Sequence, residues 1–312
     1  MAVLQDVTSP PATGLRPRGV SRRTRWQRRL PLLPALVYTI VVTQVPFLVT
    51  LWYSFQSYFW NEPGPAHWTG VSNYKEVFTD PSFRAALVRS VTMTAIAVIV
   101  AMFLGILLAV LLDRKFYGRG VVRTLIITPF LVMPAAAALI WSGPMLDPSF
   151  GLLNWLLEPF GVHHVAWLTT HAYGSVIVVM IWQWTPFMTL IVLAGLQGQA
   201  QDILEAARVD GAGAWATFRE LTLPHLRPYI ELGVLLGSIY LVTAFDQVRL
   251  MTNGGPGTST TTLPFYLYQK VNFAFDIGGA AAAGVVTVVL TIIVASLALR
   301  MFARVFQFEA AR

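Results

Sequence analysis

Asp246 and Gln183 are hard to account for as ordinary core residues, because each falls inside a long apolar stretch. A buried amide needs hydrogen-bond partners, and an ionisable group in such surroundings marks a pathway or a contact by default. Around Gln183 stand Trp182, Trp184, Thr185 and Phe187, with Pro186 freeing a backbone carbonyl by its missing N–H. Around Asp246 stand Tyr240, Thr243, Phe245 and Gln247. Aromatic faces beside hydroxyl, amide and carboxylate groups suit a polyhydroxylated solute, although helix packing or an interfacial belt accounts for the aromatics equally well. Asp246 has two readings of its own. It is either a self-neutralised partner of Arg249 on the same helix face or an acceptor for hydroxyl groups.

Catalysis has no visible machinery. Cysteine is absent, which excludes disulfides, thiolate metal sites and Cys nucleophiles. The lysines are Lys75, Lys115 and Lys270, none preceded by glycine, so the chain has no P-loop and no nucleotide site of its own. His163-His164 is the nearest approach to a metal pair, but adjacent residues do not share a helix face and no HExxH accompanies them. No metal or other cofactor is expected on this chain.

These residues are positioned by membrane spans. The 312 residues are 55% hydrophobic and 12% charged, against roughly 45–50% and about 25% in ordinary globular proteins. Mean hydropathy is +0.61, so too little polar surface exists to coat a soluble particle. The net charge of +7 comes mainly from arginines flanking apolar runs, which argues for span borders and against nucleic acid. A spanning helix needs about 20 apolar residues. Leu30–Phe55, Val88–Leu112, Val121–Ser142, Tyr173–Leu196, Tyr229–Met251 and Gly278–Met301 qualify. The expected fold is therefore all-α and integral to the membrane, with six transmembrane helices and kinked core helices, the third span bending at Pro129 and Pro134.

Residues 1–29, with Arg16, Arg18, Arg22, Arg23, Arg25, Arg28 and Arg29, read as a disordered basic tail suited to anionic membrane lipid. Of the 22 Lys and Arg residues, Lys75, Arg84, Arg89, Arg249 and Lys270 fall on or near the side opposite that tail. Both termini are thus predicted to be cytoplasmic. The first run is too long for a signal-peptide core and no A-x-A site follows it, so it is read as a retained helix.

The connection at about 197–228 is the most informative stretch. Gln201–Val209 is amphipathic at helical spacing, Gly211–Gly213 breaks it, and Leu223-Pro224 leads into the fifth span. On physical grounds this is an interfacial hairpin, suited either to a groove on a partner or to the bilayer surface. Its E-A-A, D-G-A and L-P strings resemble the EAA loop of permease subunits in binding-protein-dependent ABC importers. The matching residues are Glu205, Ala206, Ala207, Asp210, Gly211, Ala212, Leu223 and Pro224, with Gly213 a minor departure. Gly70-Val-Ser-Asn73-Tyr74, Asp80-Pro81-Ser-Phe83, Gly118-Arg-Gly120 and Thr252-Asn253-Gly254-Gly255-Pro256-Gly257 resemble the maltose-type carbohydrate permeases. Trp182-Gln183-Trp184, Pro224-His225-Leu226 and Phe130-Leu-Val-Met133-Pro134 resemble the sorbitol and mannitol branch.

The resemblance implies a maltose-type permease fold over residues 30–312, in a bacterial inner membrane. It implies a substrate path at Trp182, Gln183, Trp184, Phe187, Thr243 and Asp246, and an ATPase-coupling role for the loop. A second homologous permease subunit and two copies of a cytoplasmic ATPase holding ATP and Mg²⁺ would complete the assembly. An extracytoplasmic solute-binding protein would dock near Asn253, Gly254, Gly255 and Pro256. The rival reading is a self-contained secondary transporter of a small polar solute, against which stands the absence of a repeated motif between the halves.

Overall fold

A computed structural model of the chain describes residues 33–310, residues 63, 162 and 163 excepted, with side chains through residue 300. The predicted tail, His163 and Arg312 lie outside the described residues. The described residues divide into two units at Val49–Thr50. Helix α1 (Leu33–Tyr53) carries Pro46, and none of its side chains is buried.

In the second unit a short antiparallel pair, β1 (Gln56–Ser57) and β2 (His67–Trp68), sets Gln56 opposite Trp68. Helix α2 (Ser72–Thr79) follows, and then α3 (Pro81–Asp113), the 33-residue second span. α3 begins at Pro81, ahead of the predicted Val88, because its start is capped. The Asp80 carboxylate accepts the Ser82 N–H at 2.7 Å, and Pro81 occupies the first turn, where a missing N–H costs nothing.

The predicted third span is not one kinked helix. α4 (Arg119–Leu131) and α5 (Pro134–Ile140, continued as a π-turn to Met145) meet at 98°. Pro134 forces Met133 out of the helical region, to φ −56 and ψ 136, and the chain turns a corner there. Short helices α6 (Leu152–Leu157) and α7 (Trp167–Thr170) lead to α8 (Ala172–Gln197), which stays continuous through Pro186. Helices α9 (Gln201–Val209) and α10 (Ala214–Thr217) form the predicted hairpin, and a π-turn leads into α11 (Leu223–Val242). The predicted fifth span breaks at Thr243–Phe245 before α12 (Asp246–Met251). α13 (Leu263–Asn272) and α14 (Ile277–Ala310) complete the chain.

Among the described residues, four helices are long and apolar enough to cross a membrane: α1, α3, α8 and α14, or five with the α4–α5 pair counted as one broken span. α8 is the central one, packing on α3, α4 and α11. Its buried Val176, Val179, Met180, Met188 and Val192 face Met93, Ala97, Val98, Ala101 and Met102 of α3. The approach is close because Gly105 lies against Met188: a Cβ on Gly105 would sit 2.6 Å from the Met188 Cβ. A second core joins α2, α3, α13 and α14 through Val77, Phe83, Leu263, Tyr266, Ala282 and Val286.

Candidate solute path and coupling loop

The residues around Pro186 point in different directions. Trp182 packs edge-on against Trp141 at 5.5 Å, on the α5 side. Trp184 and Phe187 belong to a second group: Phe130 stacks on Phe187 at 5.1 Å, and Trp184 lies 5.7 Å from Phe130 and 5.5 Å from Tyr240. Offset and edge-on contacts of this kind hold aromatic walls in fixed orientation. Pro186 leaves the Trp182 carbonyl without its helical donor. Nearby hydroxyls hold the backbone: Thr185 Oγ1 donates to the Ile181 carbonyl at 2.7 Å, and Thr189 Oγ1 to that of Thr185 at 2.8 Å.

Gln183 is buried, and its amide is satisfied on both sides. Its Nε2 donates to the Val132 carbonyl at 2.8 Å, at the corner between α4 and α5. Its Oε1 accepts from Gln247 Nε2 at 2.8 Å. Gln247, which the sequence placed near the path without making it a candidate, is therefore as central as Gln183. The rule that a buried amide needs partners applies to both and was the signal available for it.

Thr243 stands where α11 ends, and its Oγ1 donates to the carbonyls of Ile239 at 3.2 Å and Tyr240 at 3.0 Å, satisfying acceptors at the helix end. Asp246 then sits in the first turn of α12, where a negative charge is favoured. Thr243 is exposed and Asp246 half-buried. The Asp246–Arg249 pair considered from sequence does not form. Arg249 instead donates to Asn253 Oδ1 at 2.7 Å and lies over the Tyr268 ring, 5.2 Å from its centre. The turn between α11 and α12 aims Arg249 at the connection beyond α12.

Of the turn residues expected to meet a binding protein, Asn253 and Pro256 are exposed. Gly254 is buried against Phe265, and its carbonyl accepts from Thr260 N–H at 3.1 Å and Thr261 Oγ1 at 3.2 Å. Gly254 shapes the turn and offers no surface of its own.

In the loop after α8, the end of α9 is closed by two bonds, Gly211 N–H to Arg208 O at 3.1 Å and Ala212 N–H to Ala207 O at 2.9 Å. Gly211 has φ +80, the left-handed conformation this closure requires. Ala207 is turned inward, while Glu205, Ala206, Asp210 and Ala212 are exposed. Ile203, Val209 and Trp215 stand 52%, 87% and 72% exposed on the same hairpin. His225, just past Leu223-Pro224, shares a 3.0 Å hydrogen bond with the Gly195 carbonyl and so ties the hairpin's exit to α8.

A central helix flanked by two broken ones, with a protruding hairpin between the fourth and fifth predicted spans, is the fold of a transporter's membrane subunit. The chain matches a chain of a bacterial alginate ABC transporter, solved in complex with an alginate pentasaccharide-bound periplasmic protein, with TM-score 0.76 and 22% identity, over 91% of this chain and 96% of that one. The chain belongs to the family of binding-protein-dependent transport system inner membrane components, which matches residues 101–307. It is 39% identical to a probable ABC transporter permease protein, y4oQ, of Sinorhizobium fredii, over 85% of this chain and 86% of the relative. It is 33% identical to the trehalose/maltose transport system permease protein MalF of Thermococcus litoralis, over 84% and 89%. Family membership sets the secondary-transporter reading aside.

Proposed function

We propose that this chain is the permease subunit of an ATP-driven importer carrying a neutral carbohydrate or polyol from a solute-binding protein into a bacterial cytoplasm. The hairpin carries the reading: Ile203, Val209 and Trp215 are apolar and strongly exposed beside Glu205 and Asp210. Exposed apolar side chains clustered on a polar loop call for a partner surface. Two copies of a cytoplasmic ATPase, holding ATP and Mg²⁺, meet that need in the assembly. Glu205, Ala206, Ala207, Asp210, Gly211, Ala212, Leu223 and Pro224 then form the coupling loop, and both termini share its side.

The solute path is assigned to Trp184, Phe187, Thr243 and Asp246, with Trp182 on its α5 flank and Gln183 buried beside it, its amide engaged by Val132 and Gln247. These residues include one carboxylate and no cation, which favours neutral hydroxylated solutes over acidic sugars. A second, homologous permease supplies the opposite wall, and Asn253 and Pro256 face the binding protein. Resemblance to the sorbitol and mannitol branch puts polyols first among the solutes, with trehalose and maltose next.

The test is ATP hydrolysis by the complex co-purified with this chain, reconstituted in lipid with its binding protein. Sorbitol, mannitol, trehalose, maltose and no solute are compared. Stimulation by one class confirms the importer and names its solute. Absence of a co-purifying ATPase and of hydrolysis refutes the reading.

A further inference from the structure

Two of the helix breaks within the second unit matter together, the α4–α5 corner at Val132–Met133 and the α11–α12 break at Thr243–Phe245. One hydrogen-bond chain joins them across α8. Gln247 Nε2 donates to Gln183 Oε1, and Gln183 Nε2 donates to the Val132 carbonyl, each at 2.8 Å. Both side chains are 3% exposed. α12 packs on α5 as well as on α8, so the chain runs through a packed junction of three segments.

Each bond bridges two different segments. Neither has slack at its length, because a hydrogen bond weakens steeply once stretched or bent. Turning the α4–α5 corner relative to α8 breaks the Gln183–Val132 bond. Sliding α12 along α8 breaks the Gln247–Gln183 bond. The aromatic walls hang on these same breaks: Phe130 precedes the corner on α4, and Tyr240 precedes Thr243 on α11, both against Trp184. The spacing of the walls is therefore tied to two neutral amides that carry no charge and respond to no pH change.

We propose that Gln183 and Gln247 are positioning residues for transport: the Gln247–Gln183–Val132 chain sets the spacing of the path's aromatic walls, and its two bonds are the ones exchanged when the path changes its opening. This rests on the importer reading. Gln247 is buried with its amide bonded to Gln183, so it acts through Gln183 and through the corner. Loss of the chain leaves the coupling loop intact, so ATP hydrolysis continues while solute is carried through poorly.

The measurement is radiolabelled solute taken up per ATP hydrolysed in proteoliposomes, with binding protein present and sorbitol, mannitol, trehalose and maltose as separate probes. Gln247→Leu is expected to lower that ratio about tenfold or more while hydrolysis persists, since one unmet buried amide is a large perturbation. A merely structural amide would lower assembly and hydrolysis together and leave the ratio unchanged. The paired variant Gln183→Met/Gln247→Met removes both amides at similar volume, which restores packing without an orphaned side chain. It is expected to assemble and still show the lowered ratio. Recovery of the ratio in the paired variant, an unchanged ratio in Gln247→Leu, or failure of both variants to assemble overturns the proposal. If the unsubstituted complex neither hydrolyses ATP nor takes up any probe, the importer reading fails instead.

Discussion

At Asp80 a single carboxylate links three segments outside the spans. One oxygen caps α3 through the Ser82 N–H, and the other accepts the Tyr266 hydroxyl of α13 at 2.6 Å. Lys270, one turn on from Tyr266, bonds Glu76 of α2 at 3.1 Å and Asp276 at 3.6 Å. Burial pushes the Asp80 pKa up, but the Tyr266 hydroxyl, the Ser82 N–H and the Lys270 ammonium outweigh it and leave the group below its ordinary 3.8. Burial and then the Asp80 carboxylate drive Tyr266 well above its ordinary 10.0, so the phenol remains a donor. Burial opposes the charge on Lys270, yet Glu76, Asp276 and Asp80 hold its pKa above 10.5. A lowered carboxylate stabilises the fold above 3.8 and loses that contribution as pH falls through its folded value. A raised lysine stabilises below 10.5 and loses its contribution as pH rises through its folded value. The clamp is therefore constant across the neutral range. Tyr266→Phe should cost about 2 kcal/mol near pH 7, the loss of one hydrogen bond to a charged group. Thermal melting of the purified complex checks this, and the deficit should shrink once the pH falls below the Asp80 value.

Among the elements, legibility followed whether a break had its own residue signal. The Asp80-Pro81 cap and first-turn proline were there to start α3 but went unread, the second span being placed from Val88, whereas the break that closes α9 was read from Gly211. Pro134 announced an interruption, but whether a proline kinks a helix or starts a new one depends on the residue before it, and Met133 in extended conformation decided for a 98° corner. The α11–α12 break had neither proline nor glycine to mark it; Asp246 at the next helix start is its one residue-level sign, and the Thr243 bonding at the end of α11 is shared with threonines inside unbroken helices. Gln183 stood out in sequence as a buried amide, whereas its pairing with Gln247 depends on tertiary placement that no local pattern encodes. The α3–α8 contact is equally silent in composition, since Gly105 reads as one small residue in an apolar run. Gly105→Leu should nevertheless cost about 3 kcal/mol, because the first added carbon already lies 2.6 Å from the Met188 Cβ and 3.0 Å from the backbone at Met188 and Thr189. Gly120→Ala, where nothing lies within 4 Å, is the matched control and should be neutral or mildly stabilising. Size-exclusion profiles of the fluorescently tagged complex separate the two, with loss of the assembled peak expected for Gly105→Leu alone.

On the scale of the whole molecule, burial grades outward from one helix. The apolar window of α8 is 61% buried, that of α3 39% and that of α14 28%. The helix bearing Trp182 to Phe187 is thus the best shielded of the three, with the broken segments α4–α5 and α11–α12 packed against it. Outside α8, Phe103, Leu131, Met133 and Ile292 are exposed, apolar surface that calls for a lipid or protein cover. The orientation proposed for the chain rests on charge alone: the Arg-rich connections are expected on the hairpin's side, and those holding Lys75, Arg84 and Lys270 on the other. The absence of cysteine makes that orientation directly testable, because any introduced thiol is the chain's only one. Tyr117, fully exposed between α3 and α4, belongs to the predicted inner side, and Phe160, 81% exposed after α6, to the outer. In spheroplasts a membrane-impermeant maleimide should label Phe160→Cys at once and Tyr117→Cys only after the membrane is opened. The reverse pattern would turn the hairpin outward, away from cytoplasmic ATP, and the coupling assigned to Glu205–Ala212 would fall with the orientation.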